Sequence, residues 1–374
     1  MSRRAVINGR FLSQPMTGVQ RYAREITAAL DALLAEDAAL AARWEFELVA
    51  PAGAPCDLAL RRVALRHTGG QLTGHAWEQL ALPGGAGGAD ALVSLANTGP
   101  LAVRRQLVVM HDAAVWAVPH TFSRAFRGWY RVLLPGLARR VARVGTVSEF
   151  SRRELGPRVG LAPRELVLLA GAAEHALRVR ADHHGAAALG LPGAPFVLAV
   201  GSNVPHKQFA VVEAALARPE CAGLALVVVG GAVGRTHAHG PAATSERTRH
   251  LGRVPDGVLR ALYERAVALA FPSSYEGFGL PPLEAMASGC PVVASRAGAL
   301  PEVCGDAALY CPPGDAATLA GQLARLARDP SLRAELAVRG RRRAAEFSWR
   351  RTALGVVAAL DAIVGCGARG ATAA

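Results

Sequence analysis

Short apolar runs recur along the whole chain, separated by stretches whose apolar residues repeat every three to four positions. In the first half the runs fall at 5–7, 46–50, 91–95, 107–110 and 144–147, with helical spacing over 18–34 and 122–141. The second half repeats the arrangement, with runs at 196–200, 224–229, 250–254, 267–271 and 291–295. Helical segments are expected at 206–217, 255–266 and 282–288, followed by long arginine-rich helices. Strands that alternate with helices in this way predict parallel sheets covered by helices on both faces. The pattern breaks between 169 and 195, where alanine–glycine runs and His183-His184-Gly185 interrupt it. The fold class expected is therefore α/β: two doubly wound Rossmann-like domains, 1–170 and 171–348, facing across a cleft. A helix over 349–364 is a candidate to pack back onto the first domain. In such sheets ligands bind beyond the carboxyl ends of the strands.

The length of 374 residues suits two domains, and 51% hydrophobic against 19% charged residues supplies a core for each. Six cysteines form no C-x-x-C pair, which argues for buried thiols rather than a disulfide scaffold or zinc site. The start of the chain meets Asn8 and Arg10 after too few apolar residues for a signal peptide, and the uncharged stretch 221–234 is too short to span a bilayer. A cytoplasmic location is expected. The formal charge of +13 admits nucleic acid, an anionic membrane surface or anionic small substrates. The chain has no basic–aromatic interleaving and no finger, so no nucleic acid is expected. A peripheral membrane contact fits Arg104-Arg105, the stretch 124–143 and Arg152-Arg153, although ordinary solvated helix faces would look the same. Of 42 basic residues only Lys207 is lysine. Where arginine is the default cation, a retained lysine points to a compact ammonium that a planar guanidinium does not replace.

The segment from Phe271 to Gly289, FPSSYEGFGLPPLEAMASG, reads as strand, glycine loop and short helix. Gly277 and Gly279 permit a tight turn, Pro282 suits a first helical position, and free amides of the turn would meet an anion. Glu276 ends the strand, and Glu284 is expected in the first helical turn. A structural role for Glu284 is helix-dipole compensation, but a capping box is excluded because Pro281 stands three residues earlier. Two carboxylates around an anion cradle suit a ligand that carries both phosphate and hydroxyls, such as a sugar nucleotide.

The E-x7-E spacing in EGFGLPPLEAMASGCPVVAS resembles the signature of retaining glycosyltransferases of family 4, which have the GT-B fold. The resemblance extends through Gly18-Val19-Gln20-Arg21-Tyr22, Trp77-Glu78-Gln79, His111-Asp112, 146–151 and 201–207. It is similar in particular to bacterial mannosyltransferases that build surface polysaccharides from GDP-mannose. The resemblance implies that Glu284 holds the ribose hydroxyls and Glu276 contacts the donor sugar. The amides of Gly277, Phe278, Gly279 and Leu280 would meet sugar and diphosphate, and Lys207 would neutralise the leaving diphosphate. Gly18 would let the loop of the first domain close on the phosphates, Arg253 and Val254 would lie at the nucleobase, and His111 near the reacting sugar. Two departures stand out. Ser202 and Asn203 occupy a loop where many relatives carry arginine, so neutralisation would rest more heavily on Lys207. Leu169-Ala170-Gly171 replaces the usual hinge Pro-Asn-Gly.

The reaction these features imply is metal-independent transfer of a hexose, mannose being favoured, from a nucleotide sugar to a hydroxyl of a lipid-linked glycan. No D-x-D triplet is present for a bridging metal, and no cofactor is expected. Glu276 could be a nucleophile but fits better as a sugar ligand. A nucleotide-sugar epimerase of the same architecture, a non-catalytic nucleotide-sugar-binding scaffold and a dinucleotide oxidoreductase compete with this reading. The last rests on Gly230-Gly231-Ala232-Val233-Gly234, an incomplete glycine fingerprint.

Overall fold

The computed structural model describes residues 2–191, 193–230 and 247–369. The chain divides into two compact units. One comprises the residues up to Ala113, Tyr130–Gly171 and those from Trp349 onward; the other comprises Ala114–Trp129 and Ala172–Ser348. Each is built on one sheet whose pairings are all parallel.

The first sheet contains β1 (Arg3–Asn8), β2 (Trp44–Pro51), β3 (Ala64–Thr68), β4 (Ala91–Ser94), β5 (Gln106–Val109), β6 (Arg143–Thr146) and β7 (Val167–Leu168) in the order β3-β2-β1-β4-β5-β6-β7. The order reverses between β1 and β4, where Ile7 pairs with Val93. The second sheet contains β8 (Phe196–Val200), β9 (Ala225–Val229), β10 (Thr248–Gly252), β11 (Ala268–Phe271), β12 (Val292–Ser295) and β13 (Ala308–Cys311) in the order β10-β9-β8-β11-β12-β13. Its reversal lies between β8 and β11, with Leu198 beside Leu269. The inner strands are apolar at successive positions because helices cover both faces: β8, β9, β11 and β12 are buried throughout.

The helix Trp349–Arg369 packs in the first unit. Trp349 meets Tyr22 edge-on at 5.6 Å, Asp361 accepts from the Trp44 indole at 3.0 Å, and the Thr352 hydroxyl donates to the Ala170 carbonyl at 2.6 Å.

Two elements differ from expectation where the site is built. The segment expected as one helix over 206–217 is a 3-10 turn, Pro205–Lys207, and a separate helix, Phe209–Leu216. The break is Gln208, at φ +55°. The helix expected at 282–288 is Leu280–Ala287, so Pro281 and Pro282 are its second and third residues and Pro282 is not the first. Glu284 is consequently its fifth residue, beyond the first turn, and dipole compensation loses its basis.

Candidate functional site

In the second unit the loops that follow β8, β10 and β11 leave the same edge of a parallel sheet. That edge therefore gathers Ser202 and Lys207, Arg253 and Val254, and the turn 276–280. The loops after β8 and β11 flank the reversal of strand order, where the connecting helices pass to opposite faces and leave a crevice. Lys207 and Glu276 meet there: the ammonium donates to Glu276 Oε1 at 2.5 Å, and both side chains are largely buried. Gln208 in the left-handed region ends the 3-10 turn, and the Lys207 stem runs beside Gly201 with its ammonium 5.0 Å from the centre of the Phe271 ring. The loop after β11 is tied to the same turn, since the Ser274 amide donates to the His206 carbonyl at 2.8 Å.

Glu276 is held by a residue the sequence reading missed. Gly298, in the loop after β12, lies at φ +60°, and a Cβ there would fall 2.6 Å from both the amide nitrogen and the carbonyl oxygen of Glu276. Only glycine fits that approach. The neighbouring Ala299 amide donates to the Glu276 carbonyl at 3.0 Å.

The turn after Glu276 passes through Gly279, at φ +103°, which caps the helix Leu280–Ala287. A helix start offers unpaired amides, but Pro281 and Pro282 have no N–H. Pro281 and Pro282 therefore contribute no donor at the start of this helix. Phe278 and Leu280 are buried, and the Phe278 ring packs edge-on against Phe347 at 5.6 Å.

Glu284 has partners of its own. His175 Nε2 lies 2.9 Å from Oε1, and the Tyr263 hydroxyl donates to Oε2 at 3.2 Å. Burial drives the Tyr263 phenol well above its usual pKa and the adjacent Glu284 charge adds to this, so the phenol remains a donor. Neither His175 nor Tyr263 carried a sequence signal: they stand 109 and 21 residues from Glu284. Arg253 is exposed and Val254 half-buried, just beyond β10. Of the glycine run at 230–234, Gly230 follows β9, and 231–234 lie outside the described residues.

Gly18 and His111 belong to the first unit. Gly18 is exposed and opens the helix Gly18–Glu36; its cap residue Thr17 makes no capping bond and donates instead to the Gln20 side chain. His111 is buried, with Nε2 2.9 Å from the Leu95 carbonyl and its ring edge-on to Tyr22 at 4.7 Å. A carbonyl only accepts, so Nε2 carries the proton and Nδ1 the lone pair. Burial brings the His111 pKa down to about 4 against the opposing pull of that carbonyl, and the ring is neutral at pH 7. It can accept a hydrogen bond there but cannot serve as a general acid. Among the described residues no three His, Cys, Asp or Glu side chains converge as metal ligands, and no helix is long and apolar enough to cross a membrane.

Comparison with known proteins places these features in context. Residues 187–343 match the family described as Glycosyl transferases group 1. Over 101 residues the chain is 46% identical to O-antigen chain mannosyltransferase B of Escherichia coli, an overlap of 27% of this chain and 26% of that protein. It is 48% identical over 110 residues to an MMP alpha-(1->4)-mannosyltransferase of Mycolicibacterium hassiacum, covering 28% and 27%. The chain thus spans about a quarter of the length of these curated relatives. Similar solved structures include sucrose-phosphate synthase from Thermosynechococcus elongatus, with TM-score 0.73, 20% identity and coverage of 97% and 100%. Another is HepE of Anabaena in complex with UDP-glucose, with TM-score 0.71, 16% identity and coverage of 96% and 99%. At such identities the likeness is one of fold, and that fold is GT-B.

Proposed function

Starting from a chain whose residues 187–343 form a group 1 glycosyltransferase domain, we propose that the protein transfers a hexose from a nucleotide sugar to a hydroxyl, with retention at the anomeric carbon. The observation that carries this reading is the Lys207–Glu276 pair at the strand-order reversal, beside the turn 277–280 that leads into the helix Leu280–Ala287. In the proposed step the carbon–oxygen bond to the diphosphate breaks as the acceptor oxygen bonds to the same carbon, and the acceptor proton passes to the departing diphosphate. Lys207 and the turn amides stabilise charge growing on the leaving oxygens. Glu276 suits a ligand of sugar hydroxyls better than a nucleophile, because its carboxylate is already committed to an ammonium. Glu284, oriented by His175 and Tyr263, accepts from the ribose hydroxyls. The residues present supply a cation without a metal, and the step needs no cofactor.

The donor favoured is GDP-mannose. Both relatives quoted are named mannosyltransferases, and they differ in the acceptor their names carry. The nucleotide-sugar class is supported by HepE, solved with UDP-glucose. The acceptor proposed is a lipid-linked glycan of surface polysaccharide assembly, approached at the inner face of the cytoplasmic membrane.

A thermal-shift comparison of GDP-mannose, UDP-glucose and UDP-galactose tests this reading. GDP-mannose should raise the melting temperature most, and Glu284→Ala should abolish most of that shift. A shift that persists in the variant overturns the ribose assignment. Conversion of the donor with no acceptor present would instead favour an epimerase.

A further inference from the structure

The turn that carries Lys207 is met by a segment that lies far before it in sequence. Residues Ala114–Trp129 follow β5 in the chain, yet they group with the second unit. Within them Pro119–Thr121 form a 3-10 turn, which a proline can open because its first residue needs no N–H. The Thr121 amide donates to the Val118 carbonyl at 3.0 Å, and the Pro119 carbonyl accepts from the Phe122 amide at 3.2 Å and from Arg127 Nη1 at 3.3 Å. Thr121 is completely buried. Its hydroxyl lies 3.2 Å from Nδ1 of His206, the residue before Lys207. A threonine hydroxyl both donates and accepts, so this bond forms whether Nδ1 carries a proton or a lone pair, and it makes no demand on the other ring nitrogen.

Other ties fix the same turn from within the second unit. The His206 carbonyl accepts from the Ser274 amide at 2.8 Å, and Gln208 Oε1 accepts from the Gly314 amide at 2.9 Å. Thr121 adds a tie to the His206 side chain. These ties matter most once a ligand arrives. The Lys207 ammonium is bound to Glu276, but in the proposed step its charge serves the departing diphosphate. Its position is then set by the backbone turn that carries its stem, and a displacement of about 1 Å in such a group is costly in rate.

We propose that Thr121 is a positioning residue for Lys207, acting through His206 to hold the ammonium where charge grows on the leaving diphosphate. The proposal rests on the glycosyl-transfer reading above, and it adds to the site a residue outside the matched family segment 187–343. The role needs no contact between Thr121 and the substrate and no proton transfer.

The test follows release of nucleoside diphosphate from GDP-mannose, or from UDP-glucose if that donor binds better, with water and with octyl mannoside as acceptors. Thr121→Val keeps the buried shape and removes the hydroxyl, and the half-buried His206 ring can meet water in its place, so the fold should hold. The variant should lower kcat roughly tenfold, the scale of one lost hydrogen bond, while calorimetric donor affinity stays unchanged. Thr121→Ser keeps the hydroxyl and should recover most of the rate, although it gives up a buried methyl and should melt at a lower temperature than Thr121→Val. In a Lys207→Ala background Thr121→Val should have no further effect, because no ammonium is left to place. Three results would each overturn the proposal while leaving transfer intact: an unchanged kcat in Thr121→Val, rates that follow melting temperature rather than the hydroxyl, or an equal fall in the Lys207→Ala background. A wild-type protein that releases no diphosphate from either donor overturns the glycosyl-transfer reading, and the proposal with it.

Discussion

Lys207 shows how far chemistry at a single position can be read from sequence. It is the only lysine among 42 basic residues, and its ammonium lies on Glu276 with its stem confined between Gly201 and the Phe271 ring. A guanidinium is wider and planar and would not fit the space an ammonium occupies there. Lys207→Arg should therefore lower kcat by about a hundredfold, comparable to loss of one preorganised charge-stabilising donor, with little change in melting temperature. Steady-state kinetics check this, and an unchanged kcat would remove Lys207 from the proposed step. The resemblance implied that Lys207 and Glu276 serve one ligand, but their direct ion pair was not expected from the sequence. What holds them was not legible. Gly298 lies 22 residues beyond Glu276, and its only requirement is close backbone approach, which leaves no local pattern. His175 and Tyr263 reach Glu284 from other elements, and a lone histidine or tyrosine in a sequence carries no address.

At the level of elements, the buried strands could be read because burial on both faces leaves unbroken apolar runs, as in β8 and β9. The edge strand β3, with sequence ALRHT and no buried residue, has no such run and was missed, as were the two-residue β7 and the strand β13. The π-helical turn at 77–81 was equally invisible, and the partners of its Glu78, which are Asn8, Arg10 and Thr98, come from distant parts of the chain. The loops after β4 and β5 make a prediction at this scale. The Asn97 side chain accepts from the His111 amide at 2.8 Å, and the Leu95 carbonyl holds the ring. The folded-state pKa of His111, about 4, lies below the ordinary value of 6.5. Between those values the unfolded chain binds the extra proton, so this contribution is present above pH 6.5 and is lost as the pH falls toward 4. Glu78 acts in the same direction lower down, its contribution being lost as the pH falls from 4.5 toward 2. Denaturant unfolding of the first unit should lose on the order of 3 kcal/mol between pH 7 and pH 4 through His111 alone. Fluorescence of the buried Trp44, Trp77 and Trp349 follows it, and His111→Gln should flatten the profile. An equally steep profile in the variant would assign the acid sensitivity elsewhere.

Across the whole molecule the charge is uneven. Between Asp90 and Glu149 there is one acidic residue, Asp112, against eight arginines. In that stretch the helix Arg124–Arg140 exposes Val132 at 71% and Trp129 at 39%, an apolar face beside Arg124 and Arg131. This supports the proposed peripheral attachment, because arginines draw such a face to anionic headgroups and a tryptophan settles at the interface. The protein should sediment with vesicles containing phosphatidylglycerol at low salt and be released as salt rises, and Trp129→Ala with Val132→Ser should weaken recruitment several-fold. Indifference to lipid charge would remove the membrane from the proposal.

The helix Trp349–Arg369 has a consequence in time as well as in space. Its Trp349 packs on Tyr22 and its Asp361 binds the Trp44 indole, so the first sheet is covered by a helix that follows every strand of the second in the chain. During translation the later-made sheet has all its strands before the earlier one receives its final layer. The half that leaves the ribosome first is the last to be sealed.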